Sequence, residues 1–308
     1  MISAMALIFM LPILVTAKTY VNESTEVFDS GPGEKIQINV GRGNVEVSSH
    51  PGNEVTVDLS ISLKAKNQEA ADEAFKSVET VIQQSDGKVL VKVKQKNSGS
   101  FLNFSKPPKA KIKLIVLCPE DYNVEVDTGS GNIIITGING KLEFDTGSGN
   151  IIGNQLNGKI DADTGSGNIV LTDTEGHFNG DTGSGNIVAN SHNGSISADT
   201  GSGNIQANGS ISKFNADTGS GNVSIVSKSA IAENSKADTG SGNISLALPA
   251  SSSFELNAET NSGRIANNFP VAETFSSGKK HIHAKINQGG PVIRADAGSG
   301  NVSIRTNH

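Results

Sequence analysis

The chain has 308 residues, of which 35 are glycine and none is tryptophan, and its formal net charge is −6 at pH 7. Aromatic residues make up only 4% of the sequence, so any core has to be narrow and filled by Ile, Val, Leu and Ala. The single cysteine excludes an intrachain disulfide. The excess of acidic residues argues against a nucleic-acid partner, because phosphate contacts require clustered basic side chains.

The sequence begins with an apolar segment. Residues 4–17 read AMALIFMLPILVTA, a run that is too short to span a bilayer and has the length typical of a secretory signal. We therefore expect residues 1–17 to be a signal peptide that directs export to the periplasm, the cell surface or the medium. The absence of Lys and Arg before the apolar run argues against a signal peptide, and the alternatives are an uncleaved N-terminal anchor or a buried segment.

Residues 18–126 are predicted to form a β-rich section that is continuous with the repeats behind it. Residues 36–40 alternate apolar and polar side chains, as half-buried strands do. Residues 41–47, GRGNVEV, resemble a degenerate first copy of the repeat.

One helix is predicted within this section. Apolar residues recur at helical spacing from Gln68 to Ser85, so an amphipathic helix is expected over residues 68–85. Asn67 is the expected N-cap, and Gly87 the expected stop signal.

Residues 127–308 are dominated by the hexapeptide Asp-Thr-Gly-Ser-Gly-Asn, which occurs seven times and is always followed by Ile or Val. The first six copies are spaced by 18 residues, the seventh comes 21 residues later, and degenerate copies start at Glu259 and Asp296. A short fixed period with two strand-like segments and two Gly-containing turns is typical of one rung of a solenoid. The predicted fold is all-β: a right-handed parallel β-solenoid (a β-helix or β-roll) of about nine rungs of 18–21 residues, with one helix in the N-terminal section.

Stacked identical rungs place each position of the repeat in a column. The Ile or Val after each Asn is expected to point into the core, and the Asn side chains to form an amide ladder along the rod. The residue after the inward Ile should face outward, yet it is apolar in four early rungs: Ile134, Ile152, Val170 and Val188. Such a stripe implies a cover, for which we expect the helix at 68–85, with self-association as the alternative.

The aspartates of the hexapeptide form the most regular candidate site. They are Asp127, Asp145, Asp163, Asp181, Asp199, Asp217 and Asp238. In register, neighbouring carboxylates lie about 5 Å apart and repel each other by about 1 kcal/mol in water. The expected compensation is hydrogen bonding from backbone N–H groups of the adjoining turn. The alternative is calcium, which β-rolls with two nine-residue repeats per 18 residues bind, although the turn occurs here only once per 18. No other cofactor is expected.

Other residues with chemical potential have structural interpretations. Cys118 ends an apolar strand and is expected to be a buried thiol. His281 and His283 lack a third ligand in sequence. The chain has no nucleophile elbow, no phosphate loop and only two tyrosines, both outside the rungs, so no catalytic residue is predicted.

Several non-repeat segments carry a resemblance to a known family. They are Gly41-Arg42-Gly43-Asn44-Val45, the strand ending in Cys118-Pro119, Gly289-Gly290-Pro291 and Gly300-Asn301-Val302. Together with the Asp-Thr-Gly-Ser-Gly-Asn-Ile repeat, they make the chain resemble the bacterial "putative adhesin" domains of unknown function, from about Ile36 to Ile304. The resemblance implies a β-solenoid, often exported, and supplies no catalytic or binding residues.

The expected function is therefore non-enzymatic. We expect an exported adhesin or cell-envelope scaffold that binds an unidentified surface polymer or protein. A calcium-binding β-roll that uses the aspartate column is the alternative. A carbohydrate-active β-helix enzyme is the least favoured, because the rungs lack aromatic platforms.

Overall fold

The computed structural model describes residues 17–96 and 108–307. The predicted signal peptide lies, except for Ala17, outside the described residues. Within them, no helix is long and apolar enough to cross a membrane. The described chain is almost entirely β-structure with a single helix, as the sequence predicts.

The first part of the chain contains eight strands and the helix. They are β1 (Lys18–Asp29), β2 (Lys35–Val40), β3 (Gly43–Ser49), β4 (Glu54–Ala65), α1 (Gln68–Lys76), β5 (Val78–Ser85), β6 (Lys88–Gln95), β7 (Lys111–Cys118) and β8 (Asn123–Thr128).

The repeats supply the next strands. They are β9 (Ile133–Thr136), β10 (Asn139–Thr146), β11 (Ile151–Asn154), β12 (Asn157–Thr164), β13 (Ile169–Thr172), β14 (Glu175–Thr182), β15 (Ile187–Thr200), β16 (Ile205–Thr218), β17 (Val223–Ser227), β18 (Ser235–Ser241) and β19 (Ile244–Pro249). The last six are β20 (Phe254–Thr260), β21 (Ile265–Asn267), β22 (Val271–Ser277), β23 (His281–Ile286), β24 (Val292–Ser299) and β25 (Val302–Asn307).

The strands stack in two sheets that share one hydrophobic core. The aspartate sheet, whose strands carry the hexapeptide Asp, has the spatial order β5-β6-β2-β8-β10-β12-β14-β15-β16-β18-β24-β20-β23-β22. The isoleucine sheet, whose strands carry the inward Ile or Val after the hexapeptide, has the order β1-β4-β7-β3-β9-β11-β13-β15-β16-β17-β19-β25-β21. β15 and β16 are long enough to belong to both sheets.

Pairing is parallel through the middle of both sheets. It is antiparallel at both ends of the aspartate sheet and at the β1 end of the isoleucine sheet, whereas the β21 end of the isoleucine sheet is parallel. Each level of the stack therefore takes one strand from each sheet, which is the solenoid-like arrangement that the repeat period predicts. Nine levels carry a complete or degenerate copy of the hexapeptide, and β2/β3 and β6/β7 add two more levels at the N-terminal end. The hand in which the chain winds stays a prediction.

Spatial order departs from chain order at both ends of the rod. The level β2/β3 lies between β6/β7 and β8/β9, so an early segment is enclosed by later ones. Likewise, β24/β25 lies between β18/β19 and β20/β21. Both segments therefore form ladder hydrogen bonds on two sides, and other strands provide the exposed edges.

The helix prediction over residues 68–85 is wrong in its second half. Asn67 does cap the helix, accepting a hydrogen bond from the N–H of Ala70 at 3.0 Å, but the helix ends at Lys76. The β-branched residues that follow form β5, which pairs antiparallel with β6. Asp86 and Gly87 both have positive φ, 51° and 70°, as a two-residue hairpin turn requires, so Gly87 belongs to a hairpin and not to a helix stop.

The core follows the predicted columns. The inward Ile or Val of each rung is fully buried, for example Ile133, Ile151 and Ile169, and Leu142 and Phe178 face them from the aspartate sheet. The hexapeptide glycines permit this close stacking: a Cβ on Gly167 would lie 1.7 Å from the carbonyl oxygen of Gly149 on the preceding level. The levels therefore contact each other through backbone at this turn.

Candidate functional site

The hexapeptide aspartates lie in register on the outer surface of the aspartate sheet, as predicted. Each pairs with the equivalent residue of the next level, from Asp127 to Asp238. The column is longer than the seven predicted residues. It starts at Asn39 and continues beyond Asp238 through Asp296 to Glu259, because β24 is inserted before β20.

A second acidic column runs beside the first. Glu125, Glu143 and Asp161 lie two residues before the aspartates of their strands and therefore on the same face of the sheet. A shallow open groove extends between the two columns. Sequence reasoning missed this second column, although its three acids share a spacing of two residues before the hexapeptide Asp.

The two columns differ in their cationic partners. The second column is paired: Lys35 contacts Glu125, Lys141 lies 2.5 Å from Glu143, and Lys159 lies 2.5 Å from Asp161. These pairs are partly exposed to solvent, which screens them, and they contribute little to stability. They do reduce the net charge of that column.

The aspartate column has partners only at its ends. Asn39 donates to Asp127 at 3.1 Å, and Lys236 lies 2.8 Å from Asp238 and 3.8 Å from Asp217. Among the described residues, no donor reaches the four central members, Asp145, Asp163, Asp181 and Asp199. The expected hydrogen bonds from the turn to these carboxylates are therefore not formed.

The hexapeptide threonines make those bonds instead. Thr164, buried, donates to the carbonyl of Gly149 one level away at 2.9 Å and accepts from the N–H of Gly167 at 3.1 Å. Equivalent threonines repeat the bond to the preceding level along the rod. The prediction failed because Thr, and not Asp, points inward at the turn and reaches its backbone.

The predicted asparagine ladder is confirmed. The Oδ1 of Asn150 accepts the backbone N–H of Asn168 at 2.9 Å and its side-chain amide at 3.3 Å. The same pattern runs from Asn132 to Asn301. Asn and Thr thus hold the levels together, and the four central aspartates take no part in these hydrogen bonds.

Partial burial and mutual repulsion raise the pKa of the central aspartates. For Asp145, Asp163, Asp181 and Asp199, loss of solvent is the larger cause, and the carboxylate of a neighbouring level adds to it. The pKa of Glu125 moves the opposite way, because the hydrogen bond from Lys35 favours its charged form.

Calcium coordination requires several oxygens around one point, and a column distributes them along a line. Among the described residues, no group of three or more His, Cys, Asp or Glu side chains is placed to hold a metal ion. His281 and His283 do not form such a group; His283 instead contacts Glu255 at 2.7 Å.

The cysteine and the buried histidine are also placed as structural groups. Cys118 is completely buried, and burial raises its pKa to about 12, so the thiolate nucleophile is suppressed. His192 is buried between Thr174 and the carbonyl of Ser195, and burial lowers its pKa. Within the described part of the chain, both side chains are enclosed by the core.

The apolar stripe of Ile134, Ile152, Val170 and Val188 faces outward on the isoleucine sheet, and Ile152 is 40% exposed. The predicted cover by the helix is wrong. The helix packs with Ala71 and Ala74 against Leu63 and Ala65 of β4, at the N-terminal end of the rod.

Comparison with known proteins identifies a family. The Toastrack DUF4097 family model matches residues 33–305. No curated protein matches the sequence.

Solved structures that match the chain include a "putative adhesin" from Bacteroides fragilis NCTC 9343, with 16% identity, 93% of this chain and 97% of that chain covered, and a TM-score of 0.44. A "putative adhesin" from Parabacteroides merdae ATCC 43184 has 16% identity, coverages of 93% and 96%, and a TM-score of 0.47. A "putative lipid binding protein" from Parabacteroides distasonis ATCC 8503 has 17% identity, coverages of 92% and 96%, and a TM-score of 0.47. The family model spans most of the chain and confirms the resemblance seen in the sequence: the chain belongs to the Toastrack DUF4097 family.

Proposed function

We propose that the protein is a non-catalytic, exported scaffold of the bacterial envelope that binds a polysaccharide along the outer surface of its aspartate sheet. The observation that carries the proposal is the groove between the two acidic columns. It repeats an acid pair at three successive levels, Glu125/Asp127, Glu143/Asp145 and Asp161/Asp163, and ends at Asn179/Asp181. A surface with a one-dimensional repeat suits a partner with a one-dimensional repeat.

The distribution of polar groups supports a binding role over catalysis. The buried polar side chains of the turns are used to hold the levels together, through the Thr and Asn ladders. The reactive groups, Cys118 and His192, are buried and isolated. An acid–base catalyst needs two titratable groups that flank a substrate in a cleft, whereas the aspartates form an even row on an open surface.

The chemistry of the groove favours a neutral or cationic sugar polymer. Carboxylates accept hydrogen bonds from sugar hydroxyls and attract ammonium groups. An anionic polymer would be repelled, because residues 127–265 contain 14 acidic and six basic side chains. The predicted signal peptide at residues 1–17 supports placement outside the cytoplasm, where such polymers occur.

We infer in addition that the solenoid winds right-handed. Connections between parallel strands of one sheet are right-handed in nearly all folds, because strand twist favours that crossover. The strands of neighbouring levels in this rod are parallel, so the chain crosses over between them and the same preference applies.

Binding to three polysaccharides tests the proposal: cationic chitosan, a neutral glucan and anionic polygalacturonate. We expect binding in the order chitosan, neutral glucan, polygalacturonate, with the chitosan affinity falling as salt is added. A groove variant should lose most of this binding: E143Q/D145N/D161N/D163N. A control with the same charge change outside the groove should bind normally: E69Q/D72N/E73Q/E273Q.

Equal binding by the two variants would show that the groove is not the site. Absence of binding to all three polymers would overturn the polysaccharide proposal. Release of reducing ends from any of them, removed by the groove substitutions, would instead identify an enzyme.

A further inference from the structure

The edge of the isoleucine sheet at the N-terminal end of the rod is long and regular. β1 pairs with β4 over all 12 of its residues, from Lys18 opposite Ala65 to Asp29 opposite Glu54, without a register shift. Among the described residues, β4 is its only strand partner, so its other side presents unpaired backbone N–H and C=O groups.

Edge strands usually carry devices that prevent pairing with another chain, such as short length, proline or bulges. The opposite end of the rod uses them. β21 has three residues, and the pairing of β22 with β23 is interrupted by two register shifts. β1 contains no proline and no bulge, and the only such device that it carries is charged side chains, such as Glu23 and Glu26. Its accessible edge is therefore open to a further strand.

Exposed apolar side chains mark the same strand. Val21 and Val27 are each 55% exposed and lie on the outer face, six residues apart. On the inner face, Tyr20 and Phe28 are only partly buried. Both faces of β1 thus retain apolar surface that β4 and the helix do not cover.

We propose that β1 pairs antiparallel with β1 of a second copy of this chain, with Ser24 of both copies at the twofold axis. A twofold axis perpendicular to the sheet requires that residue i faces residue 48 − i of the partner in this register. Val21 then lies opposite the partner subunit's Val27 on one face, and Tyr20 opposite the partner subunit's Phe28 on the other. Apolar and aromatic cross-strand pairs of this kind stabilise antiparallel sheets.

Charges select this register over its neighbours. Asn22 lies opposite the partner subunit's Glu26, and Glu23 opposite the partner subunit's Thr25, so both acids meet uncharged hydrogen-bonding groups. The two neighbouring registers are less favourable. If Glu23 lies at the axis in place of Ser24, it faces the partner subunit's Glu23. If Thr25 lies at the axis, Val21 faces the partner subunit's Asp29. The interface is isologous and closes after two copies, which joins two rods end to end.

The mass of the protein in solution tests the pairing. The protein is purified from cells that express the full chain, so that any processing of residues 1–17 takes place, and it is analysed by light scattering after size exclusion. We expect twice the mass of one chain. V21K/V27K should be monomeric, because lysines then oppose lysines in both apolar pairs. V21K/V27E should restore the dimer, because opposite charges then face each other. Both positions are exposed, so the monomer keeps its fold.

Disulfide trapping tests the register. S24C should cross-link the two copies on mild oxidation, because directly opposed residues of antiparallel strands lie at a Cα separation of about 4.5–5.5 Å, within the range that a disulfide spans. T25C should cross-link at least tenfold more slowly, and Cys118 is buried and does not compete.

The opposite results overturn the proposal. A monomeric parent protein would mean that the edge has another occupant, such as residues 1–16, or none. A dimer that persists in V21K/V27K but is lost in I152K would assign self-association to the apolar stripe of Ile134, Ile152, Val170 and Val188. Equal trapping of S24C and T25C would exclude the register. These readouts do not depend on polysaccharide binding.

Discussion

The hydroxyl of Thr164 donates a hydrogen bond of 2.9 Å to the carbonyl oxygen of Gly149 on the preceding level of the rod. The hydroxyl oxygen of Thr164 also accepts the N–H of Gly167 at 3.1 Å, so this one buried side chain bonds its own turn and the neighbouring one. Because this contact repeats at successive levels, the Thr column is a main source of order along the solenoid.

Replacing Thr164 by Val should therefore destabilise the rod. The substitution keeps the shape of the side chain but leaves a buried carbonyl and a buried N–H without partners, at a cost of about 1–3 kcal/mol in the free energy of unfolding. T164S retains the hydroxyl and should lose much less. Urea unfolding of the two variants measures the difference, and equal stability would mean that the turn finds other partners.

Replacing Ile187 by Asp should unfold the middle of the rod. Ile187 is 1% exposed and lies in the inward column between Ile169 and Ile205. A carboxylate there has no cation to pair with, and we expect a loss of about 3–5 kcal/mol. The matched control is V188D, one residue further along the strand, where the side chain faces outward. If the two variants melt alike, the inward column is assigned to the wrong face.

The repeat made the columns predictable, because identical 18-residue rungs can stack in register in only one way. Asp181, Asn186 and Ile187 therefore lie where the sequence places them. The partner of each side chain was harder to predict, since Asp and Thr are neighbours at the turn and both accept hydrogen bonds readily.

Non-repeat segments were less predictable for a different reason. Val78, Val81 and Ile82 fit both a helical and a strand pattern, and only pairing with β6 decides between them. In the stack, β2 lies between β6 and β8, and β24 lies between β18 and β20. Long-range strand pairing sets these positions, and the local sequence does not reveal them.

The aspartate column should oppose folding at neutral pH. Asp181 lies between Asp163 and Asp199, and D181N removes two repulsive cross-strand contacts. We expect the free energy of unfolding to rise by about 0.5 kcal/mol at pH 7. S166A, at an exposed position of the turn, should leave stability unchanged.

The gain in stability from D181N should disappear in acid. The pKa of Asp181 is raised in the folded state above its ordinary value of 3.8, so the folded protein takes up the proton first as the pH falls. The stabilisation from protonating Asp181 is fully present below a pH of about 3.8, and it is lost as the pH rises through the folded-state pKa. The stability of D181N should thus exceed that of the parent at pH 7 and match it near pH 3.5. An advantage that grows on acidification would contradict the direction of the pKa shift.

Calcium should leave the melting temperature of the protein unchanged. A ligand that binds only the folded state raises stability with its concentration, and chelation reverses the effect. The central carboxylates lie in a line, and within the described part of the chain no three acidic or imidazole side chains converge on one point, so we expect no tight site. Thermal unfolding followed by circular dichroism, with calcium and then with chelator, measures this directly. A rise in melting temperature that D145N/D163N abolishes would instead make the aspartate column a calcium site, and would explain why its carboxylates are kept free of hydrogen-bond donors.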